Sequence, residues 1–220
     1  MAFDMILFDL DGTLTDSGPG IMNCFRYAFE KMGHEVPDHL ERFIGPPLEY
    51  SFSGLCGMTE EEAVRAVAFF RERYFDKGVY ENIVYDGVTQ MLDRLSAAGC
   101  TLAVSTSKAE HGAHLVLDHF GLTRYFAAVC GSDPDCGRNT KTEVIEHTIG
   151  LLGSPDKQRV LMIGDRDYDI TGAHGAGVSC MGALWGYGSR TELEGAGADM
   201  IALSPQDAAD MICGQINGGM

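Results

Sequence analysis

An aspartate pair, Asp9 and Asp11, closes the apolar run Ile6-Leu7-Phe8, and Gly12 and Thr13 follow at once. An apolar strand has no structural use for acids at its end. Side chains alternate along a strand, so residues 9 and 11 are expected on the same side. Two carboxylates held that close repel unless a cation or a shared proton lies between them. Gly12 lets the backbone turn sharply just after the pair. A plain Asp-Gly turn is the competing reading.

Three further segments carry reactive groups where strands should end. Leu102-Ala103-Val104 runs into Ser105-Thr106-Ser107-Lys108. Hydroxyls there, with free N–H groups at the next helix start, suit an anion, although a Ser or Thr helix cap explains them equally well. Lys141 stands at the start of a helix expected over 142–152, against the helix dipole. Val160-Leu161-Met162-Ile163 ends in Gly164-Asp165, with Asp169 four residues on. A helix beginning near Arg166 would put Asp169 in its first turn, facing the strand end. An acid-rich helix start is the bland alternative. Taken singly each signal is modest. Together they place two acids, a hydroxyl, a lysine and two more acids along one sheet edge.

The elements that must hold these groups alternate. Apolar runs predict strands over 4–8, 101–105, 127–130, 159–163, 178–183 and 199–201. Between them, Val88, Met91, Leu92 and Leu95 share one helical face, and Val144, Thr148, Leu151 and Leu152 share another. Ser189 to Glu192 reads as a capping box, and Ser204-Pro205 as a helix start. Strands separated by helices imply a doubly wound parallel α/β sheet, which binds ligands outside its carboxyl ends. Residues 17–83 break the pattern with helical stripes only: Ile21, Phe25, Ala28, Phe29 and Met32, then Ala63, Ala66, Val67 and Phe70 behind a Thr59 cap. The expected division is therefore a catalytic core, 1–16 plus 84–220, and an inserted all-helical cap, 17–83, acting as a lid. Hinges are expected at 16–20 and 81–87. Gly45-Pro46-Pro47 would interrupt the insert with a rigid turn near the site.

Composition narrows the partners. The chain has 220 residues, 45% of them hydrophobic, and a formal net charge of −16. That charge opposes nucleic acid and anionic membrane as partners. An anionic substrate would need local positive charge from a metal or a placed lysine. The seven cysteines (24, 56, 100, 130, 136, 180 and 213) form no Cys-x-x-Cys motif and read as free thiols of a reducing compartment. With no basic lead and no run of ~18 apolar residues, the expected location is cytoplasmic.

Asp9-Leu10-Asp11-Gly12-Thr13, Thr106, Lys141 and Gly164-Asp165…Asp169 resemble the four motifs of the haloacid dehalogenase-like superfamily. The helical insert is similar to the small cap of its phosphoglycolate phosphatase-like branch. The resemblance implies a phosphatase of small anionic phosphorylated metabolites. Asp9 would attack phosphorus and form an aspartyl-phosphate. Mg²⁺ would be held by Asp9, the Asp11 carbonyl and Asp165, with Asp169 one layer out. Thr106, the Ser107 N–H and Lys141 would hold the phosphoryl oxygens. Asp11 would protonate the leaving alkoxide and then activate water.

Several alternatives stay open at this point. Asp11 argues against dehalogenation, which needs no acid for an alkoxide. A 5′-nucleotidase, a sugar-phosphate phosphatase and a β-phosphoglucomutase-like phosphotransferase share the same core chemistry. A receiver-type phospho-acceptor switch belongs to a different class. Trp185-Gly186-Tyr187-Gly188 either flanks the site or packs on the core. His111 and His114 form a weak metal pair, and Arg138 and Arg166 stand ready to steer anions or to serve structure.

Overall fold

Met5, Ile6, Leu7 and Phe8 are all buried in the computed structural model, because the strand they form is covered on both faces. The structure describes residues 3–44 and 48–217. In chain order the elements begin β1 (Met5–Phe8), β2 (Thr15–Asp16), α1 (Gly18–Met32), α2 (Leu48–Tyr50), α3 (Glu60–Asp76), β3 (Ile83–Val84) and α4 (Val88–Ala97). They continue β4 (Thr101–Ala109), α5 (Glu110–His119), β5 (Ala128–Ser132), α6 (Lys141–Leu151), β6 (Val160–Gly164) and α7 (Asp167–Ala176). The chain ends with β7 (Ser179–Ala183), α8 (Arg190–Gly195), β8 (Met200–Ala202) and α9 (Pro205–Asn217).

Six strands pair in the order β5-β4-β1-β6-β7-β8, every pair parallel. This is the doubly wound sheet expected. The order runs outward from β1 in one direction and then the other, so the switch point lies beside β1, where such sheets bind ligands. Phe8 pairs with Val104 on one side and Ile163 on the other. Asp9 and Asp165, just beyond β1 and β6, therefore leave the sheet at the edge that Thr106 of β4 also approaches.

The helices bury the faces their periodicity sets. Val88, Met91, Leu92 and Leu95 are wholly buried, as expected. Helix α6 corrects its expected face: it buries Lys141, Val144, Ile145, Thr148 and Ile149, while Leu151 is exposed. The buried positions step three, one, three and one, a true helical stripe. Lys141 lies in phase with that stripe, so the packing of α6 carries its ammonium group inward. Each aliphatic side chain buried in this way contributes ~1.5–3 kcal/mol.

The chain divides into two compact units, one of Met1–Asp16 with Val84–Met220 and one of Ser17–Ile83. The second unit is helical and packs around aromatics. Phe25 lies 4.8–5.0 Å, centroid to centroid, from Phe43, Phe52 and Phe70. Ile21 and Met32 of the expected stripe are only half-buried, and Cys24 takes a core place instead. A Cβ on Gly20 would lie 2.2 Å from the Gly78 carbonyl oxygen, so α1 and the turn at 78–80 meet backbone to backbone. Thr59 and Glu62 close a reciprocal capping box on α3, and Arg73 grips Glu81 through two hydrogen bonds of 2.7 and 2.8 Å. Gly45-Pro46-Pro47, the expected rigid turn, lies outside the described residues.

Candidate active site

Asp9 follows β1 directly, and its N–H continues the ladder to the Ile163 carbonyl at 2.9 Å. Beyond that bond the chain bends away. Because β1 ends at Phe8, alternation along a strand does not govern Asp11; this corrects the expected reason for the pair. Two different lysines reach the two acids. Lys141 Nζ donates to Asp9 Oδ1 at 2.5 Å and lies 2.6 Å from Asp169 Oδ1. Lys108 Nζ donates to Asp11 Oδ2 at 2.5 Å.

Carboxylate oxygens of Asp9, Asp165 and Asp169 all lie within 4.8 Å of one another, and all three residues are buried. Each is held in place. Asp169 stands in the first turn of α7, as expected, and its Oδ2 accepts the Arg166 N–H at 3.1 Å. Asp165 accepts from the Tyr187 N–H at 2.8 Å and from the Thr13 hydroxyl at 3.3 Å. The loop after β7 closes this side, with Trp185 Nε1 donating to the Thr13 carbonyl at 2.9 Å. Of the two readings of the Trp-Gly-Tyr-Gly segment, the structure supports the one beside the site.

Two of the three carboxylates, Asp9 and Asp169, share the Lys141 ammonium group, and the electrostatics follow. Burial pushes the Asp9 carboxyl up, to about 6; Lys141 pulls the other way, and Asp169 and Asp11 add to the rise. Burial, reinforced by Asp169 and Asp9, lifts Asp165 well above the ordinary carboxylate range. Burial alone would lower Lys141, yet Asp169 and Asp9 keep it above its usual value. The cluster is short of positive charge. An all-oxygen donor set with excess negative charge fits a hard divalent cation. Asp11 lies outside this trio of carboxylates, consistent with an expected contribution through its carbonyl.

Glycines make room for these contacts. Gly12 has φ +89°, and a Cβ there would lie 2.3 Å from Asp165 Oδ2. A Cβ on Gly186 would lie 2.4 Å from the Asp165 Cβ, and one on Gly164 would lie 2.3 Å from the Asp169 Cγ. Gly12→Ala therefore meets both backbone strain and a collision with a carboxylate. We expect it to destabilise the chain by ~1–3 kcal/mol or more and to depress turnover strongly. Urea unfolding and phosphate release check this, and wild-type values for both would contradict it.

The Thr106 segment differs from expectation. Extended backbone continues to Ala109 and α5 starts at Glu110, so no helix N-terminus lies at Thr106 or Ser107. The β4–β5 register shifts between Ser105 and Ala109 instead. Thr106 is buried and accepts the Lys108 N–H at 3.2 Å, while Ser107 is exposed. Lys108 is the residue that sequence reasoning passed over, although it ends the quoted Ser-Thr-Ser-Lys run.

The remaining candidates turn to structure. Arg138 is bound to Glu110, Asp133 and the Gly131 carbonyl, and Arg166 to Glu192. Ser189 caps α8, but Glu192 bonds Arg166 and the Asp167 N–H rather than completing the expected box. His111 and His114 are exposed and belong to no three-residue ligand group among the described residues. All seven cysteines are thiols outside any disulfide. No helix among the described residues is long and apolar enough to cross a membrane.

With this geometry in hand, comparison with known proteins is informative. The family described as haloacid dehalogenase-like hydrolase matches residues 6–183. A 5′-nucleotidase of Pseudomonas aeruginosa is 43% identical over 195 residues, covering 88% of each chain. The tyrosine-protein kinase PtkA of Mycobacterium tuberculosis is 38% identical over 187 residues, covering 84% of this chain and 63% of the kinase. A phosphoglycolate phosphatase of Mesorhizobium japonicum is 30% identical over 197 residues, covering 86% of each. A solved structure, a putative phosphatase from Clostridium difficile, superposes with TM-score 0.88 at 37% identity, covering 96% of this chain and 99% of that one.

Proposed function

Since the chain belongs to the haloacid dehalogenase-like hydrolases, in their phosphoglycolate phosphatase-like branch, and is a phosphoric monoester hydrolase, we propose that it cleaves small phosphorylated metabolites through an aspartyl-phosphate on Asp9. The observation that carries this reading is the buried trio Asp9, Asp165 and Asp169 at the switch point of the sheet, with Lys141 bound to Asp9 and Asp169. A phospho-acceptor switch without turnover is set aside by the family assignment.

Asp9, Asp165 and the Asp11 carbonyl would hold Mg²⁺. When bound, it would offset the repulsion between a phosphoryl dianion and the Asp9 carboxylate and polarise the phosphoryl oxygens. The chain's own groups do the rest. Lys141 holds the Asp9 carboxylate in one orientation and brings positive charge to the attacked centre. Asp169 keeps that ammonium in place. Thr106 and the Ser107 N–H take phosphoryl oxygens. Asp9 Oδ attacks phosphorus as the bond to the leaving oxygen breaks.

Asp11 gives its proton to that oxygen and later accepts one from the water that attacks the acyl phosphate. Its Oδ2 is fixed by Lys108, while its Oδ1 is buried with no hydrogen-bond partner among the described residues. That leaves a lone pair to which a transferred proton, a water or the substrate can bind. The helical unit 17–83 would act as the cap that keeps bulk water out during transfer.

The substrate class follows the relatives. The 43% identical relative is a 5′-nucleotidase, so nucleoside monophosphates are the first class to try, ahead of phosphoglycolate and sugar phosphates. The test is phosphate release across these three classes with Mg²⁺, and again after chelation. We expect turnover of at least one class, its loss with chelator and its return with Mg²⁺. Undiminished turnover in chelator would defeat the ligand set. Label passing from a nucleoside triphosphate to a tyrosine peptide, with none released to water, would favour a tyrosine kinase activity instead.

A further inference from the structure

A second cluster of ligating side chains sits at the other edge of the same sheet. Cys180 lies near the start of β7, His174 in the last turn of α7, and Asp199 just before β8. Asp9 and Asp165 lie past the ends of β1 and β6, so in a parallel sheet the two clusters occupy opposite edges.

The three donors converge. Cys180 Sγ lies 3.3 Å from His174 Nε2 and 3.3 Å from Asp199 Oδ2, and those two atoms are 3.4 Å apart. A tetrahedral zinc centre has bonds of ~2.0–2.2 Å to nitrogen or oxygen and ~2.3 Å to sulfur. The edges of such a tetrahedron come to roughly 3.3–3.6 Å, so the three atoms already outline one of its faces.

The ligands are also supported from behind. The Cys180 N–H donates to Asp199 Oδ2 at 2.9 Å, which fixes the carboxylate. Cys180 itself is buried behind the other two donors' contacts with its sulfur. His174 and Asp199 are partly exposed and line a surface cavity of about 360 Å³, which gives a cation an entry path and room for a water as fourth ligand. Mixed nitrogen, sulfur and oxygen donors suit a borderline first-row cation and not Mg²⁺.

We propose that His174, Cys180 and Asp199 form a surface site for a thiophilic divalent cation of the Zn²⁺ class, separate from the aspartate cluster. On binding, the Cys180 S–H bond breaks and a sulfur–metal bond forms, with the proton passing to solvent.

The test titrates the full, reduced chain with Co²⁺ while excess Mg²⁺ occupies oxygen-only sites. We expect a sulfur-to-cobalt charge-transfer band with tetrahedral ligand-field absorption, saturating near a single equivalent. Cys180→Ala should remove the band, and His174→Gln, at an exposed position that tolerates change, should weaken binding at least tenfold. Zn²⁺ should raise the unfolding temperature of the wild type more than that of His174→Gln at the same concentration. No charge-transfer band in the wild type, an undiminished band in Cys180→Ala, or unaltered affinity in His174→Gln would each overturn the proposal.

Discussion

Asp9→Asn is expected to lower phosphate release by about four orders of magnitude or more while leaving the chain folded. The substitution changes one oxygen to an amide nitrogen and keeps the volume. What it removes is the anionic carboxylate that attacks phosphorus, and no other carboxylate is set to replace it. Asp165 is engaged by Thr13 and Tyr187, and Asp169 by Arg166 and Lys141. Stability should hold or rise, because burial disfavours the charge on Asp9 and the amide carries none. Lys141 keeps Asp169 as its ion-pair partner. Steady-state turnover with Mg²⁺, alongside urea unfolding in chelator, separates the two effects. Turnover within about tenfold of wild type would rule out Asp9 as the nucleophile, whatever the stability did.

Much of this site was legible because its chemistry is written in residues that strands and helices normally reject there. Acids ending apolar strands at Asp9 and Asp165 stood out against their surroundings, and so did a lysine opening α6. What the pattern could not supply was direction. The stripe through Val144 and Thr148 was visible, yet its true centre runs through Lys141, Ile145 and Ile149, and Leu151 turned outward. Helical phase read from a few apolar positions is uncertain by one residue, and one residue rotates the face by about 100°. Lys108 was missed for a different reason. Its partner, Asp11, is 97 positions away, and only the β1–β4 pairing brings the two together. The close approaches at Gly12, Gly164 and Gly186 were equally hidden: a glycine announces freedom to turn, not which carboxylate will occupy the space its missing Cβ leaves.

Lys141→Met should produce the largest loss of stability, and its pH dependence should show why. Methionine matches the length of the lysine stem and still fills the α6 face, so packing is largely kept. The ammonium group is not, and Asp9 and Asp169 are left buried without their partner. Stranding charge in this way costs ~3–5 kcal/mol near neutral pH when no divalent cation is present. The sign with pH follows from the acids. Asp9 and Asp165 both have folded-state values above the ordinary carboxylate range, Asp9 at about 6. The folded chain then binds more protons than the unfolded one across the interval from about 4 to 6 for Asp9, and above the ordinary carboxylate range for Asp165. Their contribution to stability is therefore present in acid and lost as pH rises through the folded values. Without the downward pull of Lys141 on Asp9, that loss should run to higher pH and be steeper. Urea midpoints in chelator should diverge from wild type most near pH 8 and approach it near pH 5, and added Mg²⁺ should recover part of the gap by binding only the folded form. A deficit of equal size at both pH values would locate it in packing, and Lys141 would lose its assigned part as counter-charge to the aspartates.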